Sequence, residues 1–113
     1  MHVAILIIRS IVCKEQAETF TDELYVTFNG VKISLPNMTR GQTEVLDDEF
    51  IFEGASQLSL FENDGDHWYD RDDFIASNTI TEAPLDTTLE FKSSSGNALG
   101  AHYALDVSVT AGP

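Results

Sequence analysis

Apolar and polar positions alternate in short runs along the chain, with β-branched and aromatic residues in the runs, turn residues between them and little helical spacing. This pattern predicts eight strands, over residues 2–13, 24–29, 31–35, 45–53, 57–62, 74–81, 87–93 and 101–110. Short strands at fairly even spacing imply a sandwich or barrel. Asn29-Gly30 lies between two alternating runs and predicts a two-residue hairpin turn, because both residues tolerate positive φ. In "DDEFIFEG" and "LSLFEND" the alternation turns Phe50, Phe52, Leu58, Leu60 or their neighbours to one face of a core. Tyr103, Leu105, Val107 and Val109 repeat it in the last strand.

If each strand crosses the sandwich once, the connections after the first, third, fifth and seventh strands leave from one end. Residues 14–23, 36–43, 63–73 and 94–100 then share a pole. That parity matters because ten of the nineteen acids lie in or beside the first and third of these connections. The stretch from Glu62 to Asp73 alone holds six acids and one arginine, with Trp68 and Tyr69 among them. Two like charges about 4 Å apart repel by about 4 kcal/mol at an effective dielectric of ~20, and a bound cation reverses the sign. Calcium suits such a site, since it accepts about six to eight oxygens in flexible geometry. The acids fit neither the EF-hand loop, whose glycine and glutamate positions counted from Asp64 fall on Tyr69 and Ile75, nor a nonapeptide calcium repeat. The alternative is a solvated acidic face that serves solubility.

Composition narrows the field further. A length of 113 residues with 42% hydrophobic content predicts a single domain, 1–113, that folds alone. A net charge of -13, with no cluster of Lys or Arg, argues against nucleic acid as a partner. The same charge disfavours anionic lipid unless a cation intervenes. Cys13 is the only cysteine, which excludes an intrachain disulfide and a cysteine zinc site and predicts a small buried side chain. The apolar run from Val3 to Ile8 is too short to span a bilayer and lacks the features of a secretory leader, so a soluble domain of unassigned location is expected.

Asp64-Gly65-Asp66, five residues, and then Asp72-Asp73-Phe74-Ile75 resemble the third calcium loop of C2 domains, in which D-x-D-x5-D precedes an aliphatic strand. "LSLFEND" is similar to the strand entering that loop, and "DDEFIF" to the family's acidic-then-aromatic strand. "AILIIRSIVC" followed by "TDELYVTFNG" looks like its opening strand, first calcium loop and second strand. The pattern is especially similar to compact bacterial members. The resemblance implies an all-β, eight-stranded antiparallel Greek-key sandwich that holds calcium between loops at one pole. It places ligands at Asp22, Asp64, Asp66 and Asp72, with Glu18 and Asp70 as further acids of the site. The position six residues before Asp22, an aspartate in the family, is Gln16, so an acid such as Glu18 has to substitute. Ala76 replaces the family's glycine after "DDFI".

In that family, residues at the tip of this loop insert into membranes or touch partners. Trp68 and Tyr69 suit such an interface, being apolar at one end and hydrogen-bonding at the other. Met38, in the neighbouring connection, is expected to extend the apolar patch. Two functions follow: calcium-dependent docking to a phospholipid surface, or a protein-interaction or structural module in which calcium only stabilises the pole or is absent. No nucleophile, base and orienting group recur in a catalytic pattern, so chemistry is not expected. His2 and His102 become neighbours if the first and last strands pair, and histidine pairs in sheets are more often structural.

Overall fold

A computed structural model of the chain describes residues 3–16, 23–63, 72–94 and 98–112. Eight strands are formed: β1 (Ala4–Glu15), β2 (Leu24–Phe28), β3 (Val31–Ser34), β4 (Thr43–Phe52), β5 (Ser56–Glu62), β6 (Asp73–Ile80), β7 (Leu85–Lys92) and β8 (His102–Ala111). They build two antiparallel four-stranded sheets, ordered β4-β1-β8-β7 and β3-β2-β5-β6, packed as a Greek-key sandwich. Each expected strand is present, with ends shifted by a residue or two. Among the described residues no helix is long and apolar enough to cross a membrane.

The alternation works as anticipated. Leu6 and Ile8 of β1, Phe50 and Phe52 of β4, Leu58 and Leu60 of β5, and Tyr103, Leu105, Val107 and Val109 of β8 are all buried between the sheets. Phe28 joins the layers by edge-on contacts with Phe50 and Phe52, at centroid distances of 5.4 and 5.1 Å. Edge-to-face pairs of this kind contribute beyond their buried area. The hairpin between β2 and β3 has φ of 50° at Asn29 and 81° at Gly30, the left-handed values that this dipeptide accommodates.

β1 is not uniform. Its register against β4 and β8 shifts between Ile8 and Ser10. The extra residue changes the phase of alternation, so that Ile11 and Cys13 become the inward pair beyond it. Cys13 is fully buried, as expected of a small apolar residue there. Arg9 at the shift turns outward, and its Nη2 donates at 2.6 Å both to Asp106 on the adjacent β8 and to Asp86 on β7 beyond it.

Pairing confirms the parity that defines the pole. Glu15 lies opposite His102, Tyr25 opposite Ser34, Leu24 opposite Glu62, and Glu62 opposite Asp73. Of the two histidines weighed as strand neighbours, His2 lies outside the described residues. β1 and β8 do pair, but with Ala4 against Ala111, so His102 lies at the far end of β1 from its start. His102 is engaged by Glu90, with Nε2 and Oε2 2.5 Å apart, while Lys14 Nζ donates to the other oxygen of Glu90 at 3.1 Å.

Candidate functional site

The two acidic connections emerge side by side. Backbone N–H of Asn63, where β5 ends, donates to the carbonyl of Glu23, where β2 begins, at 2.6 Å. The partners flank residues 17–22 on one side and 64–71 on the other. The second acidic segment returns at Asp72, whose Oδ2 accepts a 2.7 Å hydrogen bond from the Tyr25 hydroxyl. Removal of the ring from water, with Asp72 as hydrogen-bond and charge partner, pushes the Tyr25 phenol up to about 12.

Of the proposed ligands only Asp72 belongs to the described residues. Glu18, Asp22, Asp64, Asp66 and Asp70 lie outside them, as do the docking residues Trp68 and Tyr69. Among the described residues no group of three or more His, Cys, Asp or Glu side chains is arranged to hold a metal ion. The chemistry of the proposed donors is nonetheless uniform: all are carboxylate oxygens, the class that calcium takes, with no nitrogen or sulfur to favour a softer metal.

Gln16, the residue standing where the resemblance calls for an acid, has a structural task. Its Oε1 accepts the backbone N–H of Arg40 at 2.6 Å, tying the end of β1 to the connection between β3 and β4. Gly41 N and the carbonyl of Cys13 bond at 2.7 Å beside it, and Arg40 Nε lies 3.5 Å from Glu15 Oε2. A neutral amide thus fixes this side of the pole by a hydrogen bond.

Met38 requires a correction. Expected on the surface beside Trp68 and Tyr69, it is fully buried and belongs to the core cluster. The 35–42 connection folds against the end of β1, so its one long apolar side chain beyond Leu35 closes the core from the pole instead of extending a patch outside it. Leu35, Ala98 and Ala101 are buried with it.

Two features of the pole were missed in the sequence, although period two contained both. Glu62 follows Leu58 and Leu60 on the inward face and is 2% exposed, unlike a solvated loop acid. Phe61, one residue out of phase, faces outward. Its ring stacks on Tyr25 at 5.1 Å and meets the edge of Phe74 at 5.5 Å. Lys32 Nζ, from β3, lies 4.1 Å from the Tyr25 ring centroid, completing a cation and three rings in a row across the outer sheet face. Phe74 is half exposed beside Asp72 and Asp73. A polar cleft of about 170 Å³, lined by Glu23, Tyr25, Lys32, Ser34, Asn37 and Asn63, opens next to this row.

No protein-family model matches the chain, and no curated protein sequence matches it. Solved structures do. A C2 domain of plant extended synaptotagmin 1 superposes with a TM-score of 0.61 at 11% identity, covering 99% of this chain and 95% of that one. A pair of C2 domains from extended synaptotagmin 2 gives 0.60 at 14% identity, over 97% of this chain and 40% of that one. Human GIVD cytosolic phospholipase A2 gives 0.61 at 17% identity, with 97% of this chain against 16% of that one. The chain thus corresponds to nearly the whole of the first and to a part of the other two. With the two sheets, their strand order and the loop-bearing pole in place, the chain has the fold of a C2-like domain.

Proposed function

We propose that this domain binds calcium at the pole through Asp22, Asp64, Asp66 and Asp72, with Glu18 and Asp70 as supporting acids, and then docks to a phospholipid surface through Trp68 and Tyr69. The observation that carries this reading is the Asn63–Glu23 backbone bond, which brings the ends of two acid-rich connections together. Calcium would relieve the mutual repulsion of these carboxylates and bridge them to lipid phosphate. The domain's role is recruitment, not catalysis.

With a net charge of -13 and only six basic residues, the domain lacks a polybasic route to anionic lipid. Docking therefore depends on the bridging ion and on aromatic insertion, and zwitterionic lipid is the preferred surface. Co-sedimentation with phosphatidylcholine vesicles in calcium and in chelator tests this. Calcium-dependent binding that Trp68→Ala weakens supports the proposal. Calcium-induced stabilisation without vesicle binding replaces it with a protein-docking module, in which the ion only stiffens the pole.

A further inference from the structure

β4 is the longest edge strand among the described residues. It pairs with β1 alone. β3, at the edge of the other sheet, is only four residues long. β6 and β7 face one another across the two sheets, joined where Asn78 Nδ2 donates to the Glu90 carbonyl at 2.9 Å. The ten-residue β4 has no such bond across the sandwich among the described residues.

Its outward face has a definite order. Val45, Asp47, Glu49 and Ile51 alternate with inward residues, and the two aliphatic ends are 84% and 62% exposed, the highest among the exposed large hydrophobic residues apart from Leu99 at 64%. Half-buried Ile5 and Ile7 of β1 lie in register with Ile51 and Glu49 and widen the apolar part of this face. β4 carries four acids and no base. The ion pairs of the described residues leave out Asp47 and Glu49.

An exposed edge offers unpaired backbone groups to any extended chain, and outward acids prevent pairing with a like strand. A second copy of this chain would oppose acid to acid within a protein already at -13. We propose that β4 is a strand-addition site for an extended segment of a partner protein, with Lys or Arg at two alternate positions flanked by aliphatic residues. Backbone bonds to the edge supply affinity. The bases opposite Asp47 and Glu49 and the aliphatics opposite Val45 and Ile51 supply register and selectivity. The order aliphatic, base, base, aliphatic reads the same in both directions, so it fits parallel or antiparallel addition.

The probe is the peptide Ile-Thr-Lys-Thr-Lys-Thr-Ile with blocked ends, and the readout is amide hydrogen exchange of the whole chain followed residue by residue. Saturating peptide is expected to slow exchange of alternate β4 amides by about tenfold or more. Added salt weakens the effect, and Asp47→Lys with Glu49→Lys abolishes it while leaving the melting temperature within a few degrees. The same peptide N-methylated at alternate residues has no effect on β4. The proposal is overturned if β4 exchange is unchanged by peptide, if the methylated peptide protects equally, or if protection falls at residues 23, 63 and 72 instead. Protection of β4 that grows with protein concentration alone also overturns it, in favour of a second copy.

Discussion

The Tyr25 hydroxyl donates to Asp72 Oδ2 at 2.7 Å and so fastens the residue where the second acidic segment ends to the start of β2. This bond positions one oxygen of a proposed calcium ligand from a rigid strand, where a loop carboxylate alone would have to be ordered on binding. Tyr25 is itself held between Lys32 and Phe61.

Tyr25→Phe is expected to lower stability by about 1–2 kcal/mol, the range for a hydrogen bond to a charged group after partial exposure is considered. It should also weaken calcium binding, because Asp72 loses its orienting partner. Equilibrium denaturation and a calcium titration measure the two effects separately.

Titration of the Tyr25 phenol, followed by its absorbance or ring resonances, should show a midpoint near 12. The folded value lies above the ordinary tyrosine value of about 10. The associated stability is therefore fully present below pH ~10 and is lost as pH rises through the folded value. Asp72→Asn should lower the midpoint only part of the way, since burial remains.

Met38→Ala should destabilise the domain by about 2–5 kcal/mol, the cost of emptying a buried site of this size. Its response to calcium should persist once the variant is folded. A loss of vesicle binding at unchanged stability would return Met38 to the surface role expected of it from the sequence.

Gln16→Asp exchanges a hydrogen bond for an acid. The shorter, charged side chain no longer reaches the Arg40 N–H in the same way, so metal-free stability should fall by about 0.5–1.5 kcal/mol. Calcium affinity should rise, because the position then matches the pattern of the C2 first loop. Melts with and without calcium distinguish the two changes.

At low pH the outer face of the β4-β1-β8-β7 sheet becomes sensitive. Arg9 lowers the Asp86 carboxyl, and His102 followed by Lys14 lowers that of Glu90. Folded values below the unfolded ones of about 3.9 and 4.3 mean that the stability is present above those values and is lost as pH falls through the folded ones. These side chains are exposed, so the loss is small. Arg9→Gln should flatten the part due to Asp86 in an acid titration of stability.

The strands and most of the core were legible because period-two alternation is a local signal that needs no knowledge of partners. Phe50, Phe52, Leu58 and Leu60 show this, as does the Asn29-Gly30 turn. Met38 was misjudged because a connection of eight residues can fold over the end of a sandwich or stand away from it, and that choice depends on bonds such as Gly41 N to the Cys13 carbonyl, distant in sequence. The role of Gln16 was equally hidden, since its partner Arg40 is supplied by another loop. The phase change in β1 depends on a bulge whose only sequence trace is Arg9-Ser10 interrupting an aliphatic run. The other proposed ligands, Glu18, Asp22, Asp64, Asp66 and Asp70, and the pair Trp68 and Tyr69 lie outside the described residues, so their part in the site rests on sequence.

A thermal melt of metal-free protein in chelator, in magnesium and in calcium, beside the Asp66→Asn, Asp72→Asn double variant, addresses the calcium site directly. At calcium about 100 times the dissociation constant, linkage predicts about 2.7 kcal/mol of added stability, several degrees for a domain of this size. A calcium-selective rise that disappears in the double variant is the predicted result. Melts that coincide in all three conditions would contradict the site and leave the acids as a solvated face on a C2-like fold.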